Sequence, residues 1–285
     1  MSLLKKIIDL ILYSNLWIGL AAALLYLQTQ YQHLGYFSIT KGASFVFFST
    51  IWLYSLHRII GLNRVSDASE NKRFKSIASI KTFIYLSSGI CLIVSLVLFI
   101  QLSRQIQVYL IFPALVSILY VLPVFTQRRR LRDLGIVKIF LIALIWSWTT
   151  VLIPFLELGQ QAGFESWPLL LERFLFILAI TIPFDVRDLE IDKITNVKTI
   201  PSLIGKTSSI RLSMLLLLGV LLLISFIDLR QMTSGEYILG LQLSYVLTLL
   251  IIWLSRDKKT DYYFTGLLDG SMIFQAMITA FLILR

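Results

Sequence analysis

The 285-residue chain is 57% hydrophobic and 15% charged, whereas a soluble domain has about 45–50% apolar and about 25% charged residues. That balance, with a mean hydropathy of +0.82, excludes a soluble globular protein. The net charge of +10 gathers in the connections between apolar runs and calls for no nucleic acid.

The apolar residues fall into runs near the length needed to cross a hydrocarbon core. Nine spans are predicted, at 7–27, 42–62, 82–102, 108–125, 138–157, 169–184, 211–229, 237–254 and 263–284. Backbone polar groups inside lipid must be satisfied within the segment. The expected architecture is therefore all-α, a polytopic bundle forming one domain over residues 1–285. Lys5 and Lys6 precede the first run, which is long for a signal peptide and reads as a span.

Twenty-one of the 26 Lys and Arg residues lie in one alternating set of connections. The positive-inside rule puts that set in the cytoplasm. The N-terminus is then cytoplasmic and the C-terminus on the opposite side of a cell membrane. The loops after spans 2, 4 and 6 are long and polar, so the functional surface is expected on that face. The basic run Arg128-Arg129-Arg130-Leu131-Arg132 fits topology or anionic lipid as well as an anionic substrate. Lone Cys91 allows no internal disulfide, and two histidines argue against a His-based metal site. Gly-rich loops and a Ser-His-Asp order are lacking.

The strongest chemical signal follows span 6. Asp185, Asp188 and Asp192 stand at i, i+3 and i+7, one face of a helix. Like charges stacked at a membrane edge are costly unless a cation lies between them. A hard cation such as Mg²⁺ suits them, since it typically takes one or two carboxylates plus substrate phosphates. Arg187, Lys193, Lys198 and Lys206 are close in sequence; they suit a bridged diphosphate or serve to neutralise the aspartates. Asn15 and Asp269 are further polar groups inside predicted spans, and Asp269 suits either a cavity or a basic partner.

Asp-x-x-Asp-x-x-x-Asp at 185–192, followed by Lys-Thr-x-Pro-x-x-x-Gly at 198–205, resembles the second conserved block of the UbiA-type intramembrane prenyltransferase superfamily. The stretch from Tyr120 through Pro123 to Lys138 is similar to the family's Tyr–Pro–Lys/Arg segment after span 4. The resemblance covers most of the chain. It implies a UbiA-like bundle with a central cavity open to the cytoplasmic side, and an enzyme that moves a prenyl group from a polyprenyl diphosphate to a lipid-soluble or aromatic acceptor. Asp185, Asp188 and Asp192 would hold Mg²⁺ and act in catalysis. Arg58, Asn63, Tyr120, Lys138, Arg187 and Lys198 would contact substrate. Tyr54, Tyr120, Trp146, Trp148 and Phe184 are candidates to line the chamber, since aromatic faces attract cations.

The first aspartate block departs from that pattern. Where the family ends span 2 in Asn-Asp-x-x-Asp-x-x-x-Asp, this chain has Ser55-Leu56-His57-Arg58-Ile59 and then Asn63. Two readings follow. Either His57, Arg58 and Arg64 meet the phosphate directly, or the chain is a non-catalytic binder of isoprenoid or lipid. His57 and Arg58 also suit simple snorkelling at the boundary.

Overall fold

A computed structural model of the chain describes residues 3–64, 77, 79–123, 130–160, 163, 166–194, 197–226, 234–257 and 260–284, with the side chains of 61–64 and 226 left aside. Among the described residues all regular structure is helical. The helices are α1 (Leu3–Tyr13), α2 (Leu16–Leu34), α3 (Lys41–Arg64), α4 (Lys81–Gln101), α5 (Arg104–Val121), α6 (Val137–Ser147), α7 (Ile153–Glu157), α8 (Trp167–Ile194), α9 (Ile200–Ile204), α10 (Lys206–Phe226), α11 (Gly235–Ser255) and α12 (Gly270–Ile283). A π-helical turn, Trp148–Leu152, joins α6 to α7, and another, Tyr263–Leu268, leads into α12.

Every predicted span has its helix. Seven are long and apolar enough to cross a membrane, and the α1–α2 pair makes an eighth if its two parts count as one span. The remaining predicted span, 169–184, lies within α8, where Phe176, Ala179 and Ile182 are wholly buried. Going round the bundle, α2 packs on α3, α3 on α4 and α5, and α5 on α6. The ring continues through α8, α10, α11 and α12, which returns to α2.

The first span is not placed as expected. The helix breaks after Tyr13, and α1 meets α2 at 57°. Nineteen-residue α2, at about 1.5 Å per residue, supplies nearly the full length of that span, and α1 is angled away from it. Asn15 makes the break, in the left-handed region at φ 69, a conformation Asn tolerates better than most residues. Its amide donates to Ser55 Oγ at 2.9 Å. Arg58 then supplies donors that the end of α1 lacks, reaching Tyr13 O at 2.7 Å and Leu12 O at 3.2 Å. α1 buries Asp9, Leu12 and Tyr13 and exposes Leu4, Ile7, Ile8 and Ile11.

Prolines inside helices pose the same donor problem. Each lacks an N–H and strands the carbonyl four residues back. Pro183 strands Ala179 O, which accepts from Ser213 Oγ of α10 at 2.5 Å. Pro113 strands Tyr109 O, which accepts from Trp148 Nε1 at 3.0 Å. Pro154 strands Thr150 O, which accepts from Thr29 Oγ1 of α2 at 2.8 Å. In each case a side chain from another helical segment satisfies the carbonyl, so the kinks also join the bundle.

The start of α3 is capped from a distance. Glu157 accepts from Gly42 N at 2.8 Å and from the side chains of Tyr26, Gln30 and Thr40 at 2.6, 3.1 and 2.6 Å. Gly42 permits this approach, because a Cβ there would stand 2.1 Å from the Tyr26 hydroxyl.

Ser213→Ala, Trp148→Phe and Thr29→Val each strand one buried carbonyl. Each is expected to cost about 1 kcal/mol, read as a lower unfolding midpoint in detergent, whereas Ser225→Ala at an exposed position on α10 is expected to be silent. Arg58→Gln removes a charged cap worth about 1.5 kcal/mol. Amide exchange is expected to quicken roughly tenfold in α1 and to stay unchanged in α2.

Candidate functional site

The aspartates sit where α8 outruns the apolar bundle. Asp185 and Asp192 are buried, and the Asp188 side chain is about one third exposed, at 32%. Lys138, the second residue of α6, lies between the two buried ones. Its ammonium is 2.8 Å from Asp185 Oδ1 and 3.5 Å from Asp192 Oδ2. A cation in the first turn of a helix is poorly placed for the helix dipole, so the carboxylates favour its position there. Burial raises the Asp192 carboxyl above its ordinary range, and Lys138 offsets this only in part.

Arg187 is tied to its neighbours. Nε and Nη2 donate to the two oxygens of Asp188 at 2.7 and 3.0 Å, and Nη1 donates to Asp261 Oδ1 at 2.9 Å. Its guanidinium also packs over the rings of Phe184 and Phe264, 5.0 and 5.3 Å from their centroids. The residue expected to meet a diphosphate is therefore already committed to two carboxylates.

The loops around the cluster are held in register. Arg130 donates to Asp133 through its backbone and side chain, at 3.0 to 3.2 Å. Burial pushes the Asp133 carboxyl up, but these bonds outweigh it and hold the group below its ordinary value. Gly135, at φ +65, lies so close to Lys198 O that a Cβ would come within 2.0 Å of it. The 130–136 turn thus seats against the 197–199 segment. The Lys198 side chain itself is exposed.

A cavity of about 590 Å³ opens between α3, α4, α5 and α6, within the usual range for small-molecule sites. Tyr54, Tyr120 and Trp146 line it, as expected. Trp148 does not; it donates to Tyr109 O and packs on Phe112. Phe184 packs instead on Phe264. His57 and Arg132 also reach the lining. The lining includes Tyr120 and Arg132 but not Lys138 or the three aspartates. Arg58 is turned towards α1, and the side chain of Asn63 lies outside the described residues.

Among the described residues no three His, Cys, Asp or Glu side chains form a ready metal cage. The donors nevertheless fit Mg²⁺ completed by substrate phosphates. Asp185 Oδ2 is a buried acceptor without a hydrogen-bond partner, an arrangement that costs free energy unless a ligand compensates. At the second block the donor set fits the ion. At the first block it does not, because Ser55 accepts from Asn15 and no carboxylate lies between Ser55 and Asn63.

Two features escaped the sequence. Asp261 was an unremarkable loop residue there. Arg173, which falls inside the predicted span 169–184, is buried at 2% exposure within the bundle. It donates to Gln28 Oε1 at 3.2 Å and lies 3.7 Å from buried Glu172, which accepts from Tyr245. Adjacent opposite charges inside span 6 were the available signal.

The chain's sequence matches no curated protein at a significant level. A digeranylgeranylglyceryl phosphate synthase in membranes is similar in structure, with a TM-score of 0.59, 18% identity and coverage of 100% of this chain and 98% of that one. A UbiA homologue from Archaeoglobus fulgidus bound to GPP and Mg²⁺ aligns with a TM-score of 0.62 at 12% identity, covering 97% of this chain and all of the other. The same homologue bound to DMAPP and Mg²⁺ gives 0.58 at 15% identity, covering 96% and 97%. These likenesses are of fold. The family model for UbiA prenyltransferases matches residues 76–268, more than half of the chain. The protein is a multi-pass membrane protein that belongs to the UbiA prenyltransferase family.

Proposed function

We propose that the protein transfers a prenyl group from a polyprenyl diphosphate to a hydrophobic acceptor in a Mg²⁺-dependent reaction. One observation carries this reading. Buried Asp185 and Asp192 converge on Lys138, and α6, which carries Lys138, also contributes Trp146 to the wall of an apolar cavity. Family membership and the prenyl diphosphates bound by the solved homologue support it. The charge pattern favours a cytoplasmic N-terminus and a cavity mouth on that side.

Asp185, Asp188 and Asp192 would hold the ion, which supplies charge neutralisation for the departing diphosphate. Lys138 is close enough to the same carboxylates to take a phosphate oxygen once a substrate enters, and exposed Lys198 is placed to receive the incoming headgroup. The C–O bond breaks with its electron pair leaving on diphosphate. The acceptor's nucleophile then bonds to the allylic carbon and loses its proton. Tyr54, Tyr120 and Trp146 offer aromatic faces to that carbocation, and the apolar walls keep water from it.

A non-catalytic isoprenoid-binding protein is the second reading. It is favoured by the first block, where Ser55 and Arg58 serve the α1–α2 break.

Asp188→Ala is expected to lower diphosphate release by roughly 10²-fold or more, and EDTA is expected to abolish it until Mg²⁺ is restored. Release is measured on purified protein with a prenyl diphosphate and an extract of its own membranes as acceptor source. Saturable donor binding without release under those conditions would establish the binding protein instead.

A further inference from the structure

We propose that Asp261 and Arg187 form a positioning pair that presents Asp188 to the metal–diphosphate site, so that the last cytoplasmic connection belongs to that site. The inference rests on the proposed function and adds Asp261, which no motif contains.

Neighbouring residues on a helix point about 100° apart, so a contact between Arg187 and Asp188 must be imposed. Asp261 imposes it by holding Nη1 at 2.9 Å, which leaves Nε and Nη2 for both oxygens of Asp188. The planar fork suits such a bidentate grip. Phe184 and Phe264 fix the plane of the guanidinium from the rings they offer. Phe264 lies in the π-helical turn Tyr263–Leu268, a local irregularity that often marks functional positions.

Asp261 is itself braced. The next residue, Tyr262, donates to Asp9 of α1, and the Tyr13 ring lies 6.0 Å from that of Tyr262. The Tyr13 phenol faces Asp261. α1 is in turn capped by Arg58. The free orientation of an aspartate at 32% side-chain exposure is thereby replaced by one fixed from three elements. Arg187 acts through Asp188 and Asp261 acts through Arg187, so neither needs to touch substrate.

The test is Mn²⁺ binding, followed by electron paramagnetic resonance on the purified full-length protein with geranyl thiolodiphosphate, a donor analogue that resists ionisation. Partners behind a metal ligand usually change affinity 10–100-fold. Asp261→Asn and Arg187→Lys are each expected to weaken Mn²⁺ binding about tenfold, and the double variant to be little worse than either. Asp261→Glu is expected to recover most of the loss, a rescue that mere scaffolding would not require. Asp257→Asn, in an exposed pair with Arg256, is expected to match the parent protein. If Asp261→Asn does not fold, Arg187→Lys decides the matter. Parent-like Mn²⁺ affinity in both Asp261→Asn and Arg187→Lys overturns the positioning pair and leaves the proposed site standing. Failure of the parent protein to bind Mn²⁺ in an Asp188-dependent way overturns both.

Discussion

Inside a membrane a carbonyl without a donor has no water to turn to. Pro113, Pro154 and Pro183 each create one such carbonyl, and Trp148, Thr29 and Ser213 each satisfy it. Much of the bundle's register follows from these three bonds. Ser213 fastens α10 to α8 at Ala179, four residues before Pro183, which itself stands two residues before Asp185. Trp148 holds α5 against the π turn, and Thr29 holds α2 there from the other side. A proline inside a spanning helix needs a specific neighbour to satisfy the carbonyl it strands, so each of these prolines also selects a partner segment.

That requirement explains which parts of the fold were legible. Hydropathy marks apolar length, and the nine predicted spans each coincide with helix. It does not mark where a helix stops inside an apolar run. Residues 7–27 read as one span, yet the chain turns at Asn15 because Arg58 and Ser55, forty residues away, supply the polar contacts that make a break tolerable. A buried charge poses a related problem: Glu172, Gln28 and Thr150 provide for Arg173 in the interior, and hydropathy does not mark those partners.

The candidate site divides along the same line. Asp185 and Asp192 were legible because helical spacing is local, and Lys138 was legible through the Tyr–Pro–Lys/Arg resemblance. Asp261 was not, since its meaning depends on a contact 74 residues distant in sequence. Arg187 shows the limit of reading charge by proximity. A basic residue among three aspartates suits an incoming phosphate, but the geometry gives its nitrogens to carboxylates already present. What remains beside the two buried aspartates is Lys138, and an ammonium on a flexible stem can exchange one oxygen partner for another more readily than a clamped guanidinium.

The rewritten first block gains sense from this division of labour. The positions where the family has carboxylates hold Leu56, Ile59 and Asn63 here. Beside them, Ser55 and Arg58 accept from Asn15 and donate to α1. α1 carries Asp9 to Tyr262, and residue 261 lies beside it, holding Arg187 on Asp188. A continuous set of contacts thus runs from the Ser55–Arg58 stretch through α1 to the aspartates of α8. Arg58 caps the helix whose Asp9 accepts from Tyr262, so the end of α3 and the start of the last helical segment are tied through α1.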